Sequence, residues 1–380
     1  MFTHSVSIGR YFGIEVRIDP SWLVIAFLFG WSFYAQFQHV FPDLASTTNL
    51  LLSATSVLVF FGSVVLHELS HSVMARRLGI PVEGITLFLF GGVTKTRMEA
   101  SKPRDEFLVA VVGPATSIAI AGVLWALVNW GSVLIQGPLA YALGYLGWLN
   151  LGLGLFNLLP GFPLDGGRVL RSILWATGGS LPRATRRAAG VGKLIAAIMI
   201  AVGLLSVFTG NLGGLWMAAI GWFLYQAAVA VDQDVVLKAL LQEVRARDLM
   251  SPNLITIPWD ATIRDAVDGY FLRYDHSAFP VVGRDQPGLI TLRAVRQIPN
   301  DQWELREVWT ATTSLDDACT VGPDTPMDKV MEKLREQEGE QDRVLVVDGD
   351  RILGIITPRD ILRWVRRSEE LGLAAVDAEL

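Results

Sequence analysis

Along residues 1–230 the basic side chains are confined to three segments, and apolar stretches fill the chain between them. Arg10 and Arg17 lie in the first segment. Arg76, Arg77, Lys95, Arg97, Lys102 and Arg104 make up the second, and Arg168, Arg171, Arg183, Arg186, Arg187 and Lys193 the third. The apolar stretches run over roughly 20–38, 50–75, 107–130, 139–159, 188–208 and 212–231. Each is near the length of about 20 residues that a helix needs to cross the hydrocarbon core of a bilayer. The alternate connections, near 39–49, 131–138 and 209–211, carry no Lys or Arg. A buried soluble core has no reason to alternate in this way, whereas membrane insertion keeps basic loops on the cytoplasmic side. The pattern predicts six crossings with both termini in the cytoplasm, and the cell inner (plasma) membrane is the expected location. Residues 1–19 carry Arg10, Glu15, Arg17 and Asp19 without an apolar run, so no cleavable signal peptide is expected.

The charge balance divides the chain at the same place. Residues 1–230 hold 14 basic and 9 acidic side chains, and 231–380 the remaining 18 basic and 28 acidic. A membrane domain over 1–231 is therefore expected, then a helical linker over 232–247 and a soluble, acidic remainder. Mean hydropathy of +0.40 excludes a disordered chain. The single cysteine, Cys319, excludes an intrachain disulfide framework and a Cys-rich zinc cluster. An acidic pI of about 5.6 gives no support for nucleic-acid binding.

The second apolar stretch contains residues that a membrane helix does not tolerate idly: His67-Glu68-Leu69-Ser70-His71. Ionisable groups at that depth each cost several kcal/mol unless paired or bound. One helical turn separates His67 from His71, so both imidazoles share a face and can meet one Zn²⁺. Glu68, about 100° round the helix, can reach a water at that metal and take its proton. A catalytic zinc ordinarily has three protein ligands, so a third is needed. Glu83, Glu99, Asp105 and Glu106 follow in the next connection, and Asp43 lies on the opposite side of the membrane. Asp165, in Asn157-Leu158-Leu159-Pro160-Gly161-Phe162-Pro163-Leu164-Asp165-Gly166-Gly167, lies at the cytoplasmic end of the fourth span. Its depth matches that of the histidines, which makes it the natural candidate. The prolines and glycines break the helix there, and irregular backbone at membrane depth belongs inside protein or beside water.

The paired motifs His67-Glu68-Leu69-Ser70-His71 and Asn157…Pro160…Pro163…Asp165-Gly166-Gly167 resemble the site-2 protease family of intramembrane zinc metalloproteases. They are most similar to its bacterial and archaeal branch with C-terminal CBS domains, which includes the sporulation factor proteases. The resemblance implies one zinc per chain on His67, His71 and Asp165, with Glu68 as general base. It implies that Asn157 positions substrate or supports the oxyanion. It further implies that residues 84–95 form a membrane-embedded strand beside the active site. In that reading Thr86, Phe88, Phe90, Gly91 and Gly92 offer an unpaired edge on which an unwound substrate can add a strand. Gly113-Pro114 in the third span matches a family Gly-Pro and places a kink or close helix contact there. The expected fold is a polytopic α-helical membrane domain with six transmembrane helices and a short membrane-embedded β segment, followed by an α/β tandem CBS domain.

Beyond residue 247 the chain repeats itself at about 60 residues, alternating short apolar strands with amphipathic helices. The first unit is expected over 248–307, the second over 308–367 and a tail over 368–380. Such pairs commonly bind adenine nucleotides (ATP, ADP or AMP), with the Thr and Asp of the last motif on phosphate and ribose. Thr357 and Asp360 keep that motif in the second unit, whereas Ala294 replaces the acid in the first. A structural or homodimerising role is the competing reading of this module. The implied activity is hydrolysis of a peptide bond in or near the transmembrane segment of a membrane-anchored protein. The alternative is a CBS-regulated channel or transporter, which has no need of paired zinc motifs.

Overall fold

The computed structural model describes residues 5–88, 91–96, 100–131, 135–241, 244–283, 287–315, 318–336, 343–349 and 351–371. It divides into two compact units, Met1–Gln233 and Asp234–Leu380.

The first unit opens with a hairpin, β1 (Val6–Tyr11) and β2 (Ile14–Ile18), and continues into α1 (Ser21–Val40) and α2 (Ser46–Arg77). A second hairpin follows, β3 (Val82–Phe88) and β4 (Gly91–Thr96), then α3 (Pro103–Trp130) and α4 (Gly137–Asn157). The short α5 (Asp165–Ala176) precedes α6 (Leu181–Phe208) and α7 (Gly213–Leu241). Six of these helices, α1–α4, α6 and α7, are long and apolar enough to cross a bilayer. Helices suit that solvent because every backbone polar group within them is satisfied internally. Their outward faces carry bare apolar side chains such as Phe27, Trp31, Leu58, Val123, Trp148 and Trp222. Inside, Phe33, Phe37, Phe60, Leu124 and Leu146 form a core between α1, α2, α3 and α4.

Three local features differ from the sequence expectation. The fifth span begins at Leu181 rather than near 188, because Ser180 caps it and accepts from the Arg183 backbone N–H. The connection after the fourth span contains a helix, α5, of which Asp165 is the first residue. The membrane-embedded β segment is part of a four-stranded sheet of order β1-β2-β3-β4. Residues 15–18 pair in parallel with 84–87, and Ile14 and Val16 are buried against Ile85, Leu87 and Leu69. The strand holding Thr86 and Phe88 is therefore internal, and the expectation of an unpaired edge there is corrected. Thr86 pairs with Arg17 on one side and Val93 on the other. The outer strand on this side of the sheet is β4, which contains Gly91 and Gly92. Phe90 lies outside the described residues.

The second unit holds α8 (Ala246–Leu249), β5 (Ile257–Pro258), α9 (Ile263–Ala266), β6 (Ala278–Val282), β7 (Gly288–Thr291), α10 (Leu292–Arg296) and β8 (Thr313–Ser314). After these come β9 (Thr320–Val321), α11 (Met327–Glu336), β10 (Val344–Asp348), β11 (Arg351–Ile356) and α12 (Pro358–Glu370). They form two sheets, β5-β6-β7-β8 and β11-β10-β9. The repeat is visible as β6-β7-α10 against β10-β11-α12. The two lobes exchange their flanking segments. Ala246 and Leu249 pack in the second lobe's core with Val344, Val346 and Ile356, while Val308 packs in the first lobe's with Ile257, Phe279 and Ile290. A cut at 307/308 would therefore separate Val308 from its core.

Candidate metal centre

The helix α2 places His67 and His71 on one face, both buried, and α3 packs along that face. Three atoms converge between α2 and α5. His67 Nε2 lies 3.2 Å from Asp165 Oδ2, His71 Nε2 lies 3.1 Å from the same oxygen, and the two Nε2 atoms are 3.2 Å apart. Among the described residues this is the one group of three or more His, Cys, Asp or Glu side chains arranged to hold a metal ion. The adjacent helix α3 sets the orientation of both rings. The Val109 carbonyl stands 2.6 Å from His71 Nδ1, so that nitrogen donates, and in the neutral ring Nε2 then carries the lone pair. Ser117 Oγ lies 2.9 Å from His67 Nδ1 and can hold the second ring in the same tautomer. The donor set thus turns three lone-pair-bearing atoms toward one point. Neutral imidazoles and a carboxylate repel one another in that arrangement, and a cation relieves the repulsion. Ligands on a tetrahedral zinc at about 2.0 Å stand about 3.3 Å apart, close to the separations found. Two imidazoles and one carboxylate also leave the fourth position open, as catalytic zinc sites do. The residues fit the ion.

Two glycines make room for this cluster. A Cβ on Gly113 of α3 would lie 2.1 Å from His71 Nε2 and 2.8 Å from His67 Nε2. The Gly113-Pro114 pair thus permits close approach of α3 to the imidazoles, while α3 continues unbroken to Trp130. A Cβ on Gly92 would lie 2.5 Å from Glu68 Cγ, so the outer strand β4 runs directly against the Glu68 side chain.

Asn157 ends α4 and its side-chain amide donates to the Leu153 carbonyl at 2.9 Å. Of the other acids considered as a third ligand, Glu106 is buried against Arg171 and Glu99 lies outside the described residues. In the second unit, the Thr357 backbone N–H and hydroxyl both donate to Asp360 Oδ2, at 2.9 and 2.6 Å, and Ser251 donates to Asp360 Oδ1 at 3.0 Å. Thr357 thereby caps α12, as Thr291 caps α10 by accepting from the Ala294 N–H. Thr262 and Asp265 make a similar pair at the start of α9, and the hydrogen bonds from Thr262 hold the Asp265 carboxyl below its ordinary range. Sequence reasoning missed Ser117 and the Val109 carbonyl. The one signal for Ser117 was its spacing, four residues beyond Gly113 on the same helical face.

Fold and site together define a multi-pass membrane metallopeptidase with a CBS module. Residues 55–136 and 129–202 match the family model described as Peptidase family M50, and residues 246–300 and 311–367 match that of the CBS domain. Rip3 of Mycobacterium tuberculosis is 36% identical over 365 residues, spanning 95% of this chain and 93% of that protein. Zinc metalloprotease MJ0392 of Methanocaldococcus jannaschii is 32% identical over 361 residues, 95% of this chain and 96% of that protein. The solved structure of the site-2 protease from the same archaeon has 30% identity and a TM-score of 0.43, covering 60% of this chain and 95% of that one. The chain belongs to peptidase family M50 and is a zinc metalloprotease carrying tandem CBS domains.

Proposed function

We propose that this protein cleaves a peptide bond in or near the transmembrane segment of a membrane-anchored protein, using a zinc held by His67, His71 and Asp165. The convergence of His67 Nε2, His71 Nε2 and Asp165 Oδ2 within 3.2 Å of one another carries the reading. Zinc bound there supplies Lewis acidity toward water and toward a peptide carbonyl. Glu68, beside His67 on α2, takes the proton from the attacking water and passes it to the leaving amine. Asn157 would have to give up its bond to Leu153 to support the oxyanion. Gly92 lets the outer strand β4 lie against Glu68, so a substrate strand added to β4 runs past the base. Peptide bonds in a transmembrane helix are shielded by their own hydrogen bonds, and pairing with β4 gives the unwound segment replacement partners.

The basic connections favour cytoplasmic termini in a plasma membrane, so water would enter the site from the cytoplasmic face. Adenine nucleotide bound near Thr357 and Asp360 would regulate access. Such a ligand must displace or share the hydrogen bonds that Asp360 now accepts from Thr357 and Ser251. Pairing of two chains through the CBS module is the remaining partner proposal. The test is zinc content of purified wild type beside His67→Ala, with cleavage of a helical membrane substrate measured on the same samples. Stoichiometric zinc in wild type, lost in the variant together with cleavage, is the expected result. Zinc-free, fully active wild-type protein would end the proposal.

A further inference from the structure

Four residues of α3 lie on one face at spacings of three, four and four: Glu106, Val109, Gly113 and Ser117, all buried. Three of them meet the histidines, as described above. The fourth, Glu106, lies one turn before Val109 and accepts from Arg171 of α5, whose Nε lies 2.7 Å from its carboxylate and whose terminal nitrogen makes a second bond to the same oxygen. The Arg171 guanidinium also lies over the Phe162 ring, 5.0 Å from its centre, and approaches Thr185 of α6 at 3.5 Å. Phe162 precedes Asp165 by three residues in the broken segment and packs on Ala188 and Ala189 of α6. Arg171 thus touches the segment leading into Asp165, the helix that Asp165 begins, and the helix that orients both imidazoles.

We infer that Arg171 is a positioning residue, whose ion pair with Glu106 sets the distance from Asp165 to His67 and His71 by referring both halves of the site to α3. The inference rests on the zinc reading proposed above. Asp165 follows a segment in which Pro160 and Pro163 interrupt the helical hydrogen-bond ladder, so no continuous helix fixes its register. The His67–His71 pair, by contrast, sits on a continuous helix of 32 residues. Something must register the broken segment against the continuous helix, and a guanidinium that makes two charge-assisted bonds to one buried carboxylate oxygen is directional enough to do so. Glu106 is almost fully buried, so losing Arg171 leaves its carboxylate only the more distant Arg168, at 4.0 Å, and losing Glu106 removes the acceptor that both bonds from Arg171 share.

The experiment compares full-length Arg171→Gln, Glu106→Gln and His71→Ala with wild type, by zinc affinity in chelator competition and by the visible spectrum of the Co²⁺-loaded protein. Lys193→Gln, which breaks the α6–α7 ion pair with Asp232, serves as a control for general loosening. Arg171→Gln and Glu106→Gln are expected to weaken zinc by about 10- to 100-fold, the range seen when outer partners of metal ligands are removed. Their Co²⁺ spectra should shift, kcat should fall with KM unchanged, and Lys193→Gln should match wild type. Glu106→Gln keeps size and shape and decides the matter where Arg171→Gln fails to fold. Zinc affinity within twofold of wild type and an unaltered Co²⁺ spectrum would overturn the inference, as would an equal loss in Lys193→Gln. Retention of zinc by His71→Ala would instead overturn the zinc reading itself.

Discussion

His67 Nε2 and His71 Nε2 face each other at 3.2 Å, an approach that two neutral imidazoles, each with its Nδ1 turned to a partner on α3, do not make for its own sake. One helical turn brings the rings to the same face, but α3 aims them, His71 through the Val109 carbonyl and His67 through the Ser117 hydroxyl.

Glu68→Gln is expected to keep zinc at wild-type stoichiometry and to lower kcat by at least about 100-fold, the scale of general acid–base catalysis. Elemental analysis and a cleavage assay on one preparation check both halves. Wild-type turnover in this variant would remove Glu68 from the role of base.

Removing the metal from wild type with a chelator should abolish cleavage, and added Zn²⁺ should restore it. Asp165→Ala should lack the restoration at low micromolar Zn²⁺, because one of three protein ligands is gone. Recovery of Asp165→Ala alongside wild type would place the third ligand elsewhere.

Gly113→Ala and Gly92→Ala should fail differently. The first puts a methyl group 2.1 Å from His71 Nε2 and should cost metal affinity. The second puts one against the Glu68 side chain, which can swing aside, so zinc should remain while kcat falls. Metal titration and turnover on the two variants tell them apart, and an identical profile for both would contradict the geometry.

Ser117→Ala removes the partner of His67 Nδ1 and should weaken zinc by about 10- to 100-fold without emptying the site at saturating metal. Ser117→Thr, which keeps the hydroxyl, should recover most of the loss. A chelator-competition series on the three proteins measures it.

Asp360→Ala should lower the stability of the second unit by about 1 kcal/mol with no nucleotide present, since Asp360 accepts from Thr357 and Ser251 at the start of α12. Calorimetry of the full-length protein with and without ATP, ADP or AMP separates this structural cost from lost ligand binding. An unchanged melting temperature would show the capping contacts to be energetically idle.

Much of the site is legible along the chain because it depends on local geometry. His67, Glu68 and His71 read directly off a helical turn, and the depth of Asp165 follows from counting residues along its span. The N-terminal strands were legible in principle. Ile14, Val16 and Ile18 alternate with Glu15 and Arg17, and Phe12-Gly13 marks the turn, but the stretch is short and its sheet partner is some 70 residues away. What stayed hidden was β3 as an inner strand, since no feature of Ile85–Phe88 reveals that residues 14–18 will cover its other edge.

The amino-acid order alone determined that this chain forms six helices long and apolar enough to cross a membrane, which helix presents the two imidazoles and which carboxylate lies level with them. These follow from transfer free energies and from the period of a helix, both of which act residue by residue. Only the tertiary structure decided that α3, a helix contributing no ligand, aims both rings and that the outer strand bearing Gly92 runs against Glu68. Those relationships depend on the rotation and register of one packed element against another. That is a sum over many weak contacts, and it exists only once the whole bundle has closed.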